Sequence, residues 1–255
     1  MKQLKAHLWS SAGGSEEGPL IVFIHGLGAN ATVWNRVLPI LESDWRGGWM
    51  TIDLAGHGRS SHQEHYSIGD YASGIAAILP HEREIIVIGH SLGGVVALAL
   101  NSGLYGLNVK DCFAVGIKTE WREEDYERGK QFASSPVKWF ANRSAAIERY
   151  LKVSGLIGLI DLGSSEAAVG ILQEGGSFRL ASDPKVNDIN PINFEALAKM
   201  GDAPIHLSCG DQDPVASPKG METLGGPVHV LKRRGHYPFV EDPRGFWDYV
   251  RVAVQ

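Results

Sequence analysis

Six short apolar runs separated by glycine-rich turns constrain this chain more than anything else in it. Leu20-Ile21-Val22-Phe23-Ile24 is unbroken and largely β-branched, and it runs into Gly26. Trp49 to Leu54, Ile85 to Ile88, Cys112 to Ile117, Ile205 to Cys209 and Val228 to Leu231 read the same way. A strand with one wet face alternates apolar and polar residues, whereas a continuous run suits a strand buried on both faces of a parallel sheet. Segments of helical period lie between the runs. Val33, Trp34, Val37, Leu38 and Leu41 mark one helix face. Ser67 is placed to cap the next helix, with Asp70 three residues on and Ile68, Tyr71, Ala72, Ile75 and Leu79 inward. Leu92 to Leu100 is apolar nearly all round, as in a helix buried against a sheet, and Asp242-Pro243 opens the last helix. The alternation implies an α/β fold with a mostly parallel central sheet flanked by helices.

One stretch breaks the rhythm. From about Thr119 to about Asn190 strand signals give way to aromatic and helical ones, including Trp121, Tyr126, Phe132, Trp139, Phe140 and Tyr150. That is too long for an ordinary connection between sheet strands. It reads as an inserted helical cap over 119–190, with residues 1–118 and 191–255 forming the core; one long crossover with extra helices is the plainer alternative. The 255 residues can bury a sizeable core unaided. A hydrophobic content of 44% and a net charge of −5 exclude intrinsic disorder. The acidic balance, with no long basic run, argues against a nucleic-acid partner. No apolar run reaches the length of a membrane-spanning helix, and Met1-Lys2-Gln3-Leu4-Lys5 is not followed by a signal-peptide core. Cys112 and Cys209 both sit in strand-like runs and suggest a reduced, cytoplasmic setting.

Two motifs compete for the chemistry. Gly26-Leu27-Gly28-Ala29-Asn30-Ala31 has the spacing of a dinucleotide-binding turn, with Asp53 near the position of a ribose-binding acid. In a chain with 31 glycines that match is weak. Gly89-His90-Ser91-Leu92-Gly93 is the second motif. It lies between a predicted strand and a predicted helix, where flanking glycines permit a sharp turn that presents a serine hydroxyl at the sheet edge. A serine N-cap between two packing glycines is the bland reading. A serine nucleophile needs a base and an acid to orient that base, in the order Ser, Asp, His. The run Ile205–Cys209 leads into Gly210-Asp211-Gln212-Asp213, and Val228–Leu231 leads into Gly235-His236. Among ten histidines any single one is more often structural; the ordered set, each after a strand, is what carries weight.

With these residues in place the chain resembles the α/β-hydrolase fold family in its serine-nucleophile branch. The matching pieces are His25-Gly26-Leu27-Gly28, Asp53 to Ser60, Gly89 to Gly94, Gly210-x-x-Asp213 and Gly235-His236. The resemblance implies Ser91 as nucleophile, His236 as general base and acid, and Asp213 as orienting carboxylate, with the Leu27 and Leu92 N–H groups as oxyanion hole. It selects Asp213 over Asp211 by the spacing from Gly210, leaving Asp211 to a turn and Glu241 and Asp242 to a solvated loop and helix cap. It reads His25 and His90 as supporting hydrogen-bonders. A serine at position 91 argues against the haloalkane dehalogenase and epoxide hydrolase branches, which use aspartate there. The expected substrate is a small carboxylic ester with an acyl or aromatic group. Thioesters, lactones, carbon–carbon bond hydrolysis, a lyase, or a slow ligand sensor share the same machinery. Trp139 and Phe140 in the cap are candidate substrate-binding residues, and Leu156, Ile157, Leu159 and Ile160 either line an acyl pocket or pack the cap. No cofactor and no metal are expected; His62 and His65 lack partners at ligand spacing. Oligomeric state is not readable from the sequence.

Overall fold

A computed structural model describes residues 7–254, so the Met1–Lys5 start lies outside the described residues. Among the described residues nine strands form two sheets. The larger contains β1 (Ser10–Gly14), β2 (Leu20–Ile24), β3 (Gly48–Ile52), β4 (Glu84–His90), β5 (Asn108–Val115), β8 (Ile205–Gly210) and β9 (Val228–Leu231), and β6 (Ile171–Glu174) and β7 (Ser177–Leu180) pair separately. The large sheet has the order β1-β3-β2-β4-β5-β8-β9. Every pairing in it is parallel except β1 on β3. The mostly parallel sheet and its flanking helices are those expected from the continuous apolar runs.

Those runs are continuous because they serve two cores. Val22, Ile24, Ile85 and Val87 point to one face; Ile21, Phe23, Ile86 and Ile88 point to the other. Helices α1 (Leu38–Asp44), α2 (Ile68–Ala76) and α3 (Leu92–Asn101) follow the first strands, and α2 and α3 cover the first face. Ser67 caps α2 as its position predicts, accepting from the Asp70 N–H at 3.1 Å. On the second face Trp34 is fully buried and stacks on Phe239 with ring centroids 3.9 Å apart.

Two local expectations are corrected. The helix face from Val33 to Leu41 is split into a 3-10 turn, Ala31–Trp34, followed by α1. Pro39 sits in the first turn of α1, where it needs no donor; a continuous helix would place it in the interior, where its ring opposes the preceding turn. The antiparallel edge strand β1, Ser-Ser-Ala-Gly-Gly, carries no apolar signal and was not expected.

Between β5 and β8 the chain leaves the sheet for α4 (Glu123–Ala133), α5 (Arg143–Val153), α6 (Ser165–Val169), the β6–β7 hairpin and a 3-10 turn, Pro184–Asn187. This excursion is not wholly helical: the hairpin corrects the expectation that strands vanish there. Two glycines at positive φ, Gly175 and Gly176, form its two-residue turn. The chain then returns through α7 (Phe194–Ala198), α8 (Pro218–Glu222), α9 (Pro238–Glu241) and α10 (Pro243–Val254). The Gly245 N–H donates to Asp242 at 3.0 Å, which gives Asp242 the predicted capping role for α10. Cys112 and Cys209 are buried and free, and burial pushes the Cys112 thiol up to about 12. Among the described residues no helix is long and apolar enough to cross a membrane.

Candidate active site

Strand β4 ends at His90 and helix α3 begins at Leu92, leaving Ser91 alone to turn the chain. Its backbone is at φ 51, ψ −115, one of two non-glycine residues at positive φ among the described residues. Such a conformation is held against strain and needs a reason. Glycine is required on both sides: a Cβ on Gly89 would run into the Gly93 carbonyl oxygen, and one on Gly93 into the carbonyls of Ile24 and His25. The Ser91 side chain makes no capping hydrogen bond to α3, which removes the N-cap reading. The Ser91 N–H is tied instead to Val115 O on β5 at 2.8 Å.

The loops after β8 and β9 bring Asp213 and His236 together. His236 Nδ1 lies 2.8 Å from Asp213 Oδ2 and 3.0 Å from Oδ1. The Asp213 side chain is fully buried, that of His236 17% exposed. Asp213 Oδ1 also accepts from the N–H groups of Val215 (2.7 Å) and Ala216 (3.0 Å), so the carboxylate is fixed by its own loop before it meets the imidazole. A carboxylate at Nδ1 puts the proton on that nitrogen and leaves Nε2 as a lone pair. Asp211 turns the other way: its Oδ1 accepts from the Arg233 N–H at 2.6 Å, bridging the two loops at the other positive-φ residue. The two aspartates therefore have different partners, Asp213 the His236 imidazole and Asp211 a backbone N–H 22 residues away, not one within its own turn.

Glu241 has a role that the sequence did not suggest. Its carboxylate accepts from the N–H groups of Gly235 (2.8 Å) and Tyr237 (3.2 Å), the two neighbours of His236. His90 Nε2 donates to the His236 carbonyl at 2.8 Å, and its ring lies 4.5 Å from that of His236. Tyr237 donates through its hydroxyl to Ser154 O at the end of α5. The His236 backbone is thus held from three sides.

Leu27 and Leu92 share a cavity of about 140 Å³ with Ser91. The Leu92 N–H is the first of its helix and has no partner in it, and the Leu27 N–H makes no backbone hydrogen bond among the described residues. Trp121, Ile68, Ile192 and Phe194 supply the apolar wall, with Lys118 beside them. Lys118 is tied to Asp125 on α4 at 2.9 Å and lies over the Trp121 ring.

Trp139 and Phe140 are not on this wall. Trp139 is 47% exposed, beside Arg179, and Phe140 pairs through its backbone with Phe178 of the hairpin. Leu156 and Ile160 are buried in the core on the Trp34 face, so they pack the excursion onto the sheet. Asp53 is fully committed inside the fold: Oδ1 accepts from the Ala31 N–H at 2.7 Å, and Oδ2 from the Arg59 N–H at 2.9 Å and Nε at 2.8 Å. No oxygen is left for a ribose, which removes the dinucleotide reading.

Three buried histidines underlie the site, and none carries charge near neutral pH. Burial lowers His25, lowers His57 to about 3, and lowers His90 well below the ordinary value. His25 has its tautomer fixed: the Leu54 N–H donates to Nε2 at 2.9 Å, and Nδ1 donates to Gly26 O at 2.8 Å. Its ring thus pins the Gly26-Leu27 turn to the end of β3. Among the described residues no group of three or more His, Cys, Asp or Glu side chains is arranged to hold a metal ion.

The chain matches the alpha/beta hydrolase family over residues 21–249 and belongs to it. A pimeloyl-[acyl-carrier protein] methyl ester esterase of Neisseria meningitidis serogroup B is 28% identical over 253 residues, covering 92% of each chain. An uncharacterized protein of Mycobacterium tuberculosis is 42% identical over 85 residues, 32% of this chain and 24% of that protein. This match therefore spans about a quarter of the mycobacterial relative's length. Among solved structures, a thioesterase domain from the curacin biosynthetic pathway superposes with a TM-score of 0.78 at 21% identity, covering 98% and 97% of the two chains. E-2-(acetamidomethylene)succinate hydrolase gives 0.77 at 21% identity, covering 97% and 94%. At such identities these superpositions speak for the fold.

Proposed function

We propose that the protein is a serine hydrolase of small carboxylic esters, with Ser91 as nucleophile, His236 as general base and acid, and Asp213 as the orienting carboxylate. The observation that carries the reading is the buried Asp213 carboxylate bonded to His236 Nδ1 at 2.8 Å. It does so at the edge where Ser91 is held at φ 51 with no capping bond. His236 Nε2 takes the Ser91 proton as Oγ attacks the ester carbonyl, and the carbonyl electrons move onto oxygen. The Leu27 and Leu92 N–H groups stabilise that oxyanion, an interaction worth about 10²–10³ in kcat for one donor in such sites. Collapse expels the alkoxide, which leaves as the alcohol with the His236 proton. Water then repeats the sequence on the acyl-enzyme and returns the free serine. Asp213 stabilises the imidazolium in both halves without taking its proton.

In this reading the 119–190 excursion serves as a cap. Trp121 from its start and Phe194 just beyond its end close the Ser91 cavity and exclude water from it. The similarity to a methyl ester esterase over 92% of the chain supports an ester as the bond cleaved. The test is hydrolysis of p-nitrophenyl butyrate by wild type and Ser91→Ala. The proposal expects turnover that the substitution abolishes. Full activity in Ser91→Ala refutes it.

A further inference from the structure

Leu27 lines a second cavity as well as the one at Ser91. This outer chamber holds about 830 Å³ and lies between α4, α5 and the turn after the hairpin. Phe132, Val153 and Leu180 contribute apolar surface to its wall. Lys138, Arg149 and Lys152 also line it, and among the described residues no Asp or Glu does. Arg149 and Lys152 are three apart on α5 and so project from the same side of that helix. None of the three cations forms a salt bridge with a described carboxylate. Lys138 Nζ lies 5.3 Å from the centre of the Phe140 ring, a contact that leaves its charge in place, and three cations without a carboxylate partner lining one cavity raise the local potential and draw an anion in. An apolar chamber with a few convergent polar groups is also how a site fixes the orientation of a small ligand.

We propose that this outer chamber binds the anionic end, a carboxylate or a phosphate, of a substrate whose ester carbonyl lies at Ser91. The apolar stretch of the substrate runs past Leu27 against Phe132, Val153 and Leu180. This deepens the serine-hydrolase reading and rests on it for the position of the ester. It assigns Lys138, Arg149 and Lys152 to substrate selection, a role that Trp139 and Phe140 were expected to fill.

The turnover test compares p-nitrophenyl hexanoate with the mono-p-nitrophenyl ester of adipic acid, which differs by a terminal carboxylate. Wild type is expected to favour the anionic ester in kcat/KM by about tenfold or more at low salt, the yield of a charge-assisted contact. The preference shrinks as salt is raised, because these cations are within reach of solvent. In the Lys138→Gln, Arg149→Gln, Lys152→Gln triple variant the ratio falls toward one. A second arm reads the chamber without chemistry, by calorimetric titration of Ser91→Ala with methyl hexanoate, monomethyl adipate and hexyl phosphate. One or both anions are expected to bind at least tenfold more tightly than the neutral ester, and the stronger of the two identifies the anion. A ratio near one in wild type, equal affinities in the titration, or a preference that survives the triple substitution overturns the inference. Failure of the serine-hydrolase reading looks different: neither p-nitrophenyl ester turns over, while the titration still reports whether the chamber selects anions.

Discussion

Lowering the pH from 7.5 to 5 should destabilise this fold through its buried histidines, and the size of the effect follows from their environment. His57 is fully buried with its Nε2 unpartnered, and the His25 ring lies 5.1 Å away. Burial lowers it from 6.5 to about 3, with proximity to His25 acting in the same direction. The unfolded chain restores the ordinary value. At pH 5 it therefore binds nearly one more proton at this residue than the native state does. A depressed folded value leaves stability intact above about 6.5 and removes it as the pH falls toward about 3. Linkage puts the loss at about 2 kcal/mol by pH 5 for His57 alone. His90, lowered well below the ordinary value mainly by its burial, acts in the same direction. About 2 kcal/mol is already a sizeable part of the total stability of an ordinary domain. Urea denaturation at pH 7.5, 6 and 5 reads it directly, with an unchanged m-value expected. In His57→Gln the fall over the same range should shrink by about 2 kcal/mol. A stability independent of pH over this interval, or an identical fall in the variant, refutes the buried neutral histidines.

Asp213→Asn should lower kcat on p-nitrophenyl butyrate by about 10⁴, because the amide favours the wrong His236 tautomer, whereas Asp211→Asn stays within about tenfold. A reversed pattern contradicts the division between the two aspartates. Glu241→Ala frees the N–H groups on both sides of His236, and kcat should fall about tenfold or more with partial rescue in Glu241→Gln, which keeps an acceptor. If only the melting temperature moves and kcat at 25 °C does not, Glu241 supports the fold and does not position His236. Trp121→Ala should shift acyl chain-length preference in kcat/KM by about 10–200-fold, while Trp139→Ala, half-exposed beside Arg179, leaves it unchanged. The opposite result places the acyl chain against Trp139 and not against Trp121.

The sheet was legible because parallel strands buried on both faces leave no polar alternation to confuse the pattern. The same runs end at the loops that carry Ser91, Asp213 and His236, so the order of the site residues came with the order of the strands. What escaped was structure made by neighbours. Edge strand β1 is Ser-Ser-Ala-Gly-Gly and exists by pairing with β3, with no apolar content of its own. The β6–β7 hairpin did have a local signal, Gly175-Gly176 between Glu174 and Ser177, masked by the helical character of its surroundings. Trp139 and Phe140 attracted notice as large aromatics, yet residue size does not tell which side of a cap faces the cavity. Glu241 sits where a solvated loop reading is natural; only the folded loop shows its carboxylate accepting from the two residues around His236. The preference for Asp213 over Asp211 came from the family resemblance, through the spacing from Gly210, and no periodicity could have supplied it.

The central claim is that Ser91 is an activated nucleophile. Labelling with a fluorophosphonate probe, followed by peptide mass mapping, tests it without knowledge of the substrate. The account predicts a single adduct on the peptide containing Gly89 to Gly93, located on Ser91, absent in Ser91→Ala and strongly slowed in His236→Ala. An adduct on another residue, or unchanged labelling when either Ser91 or His236 is replaced, would contradict it.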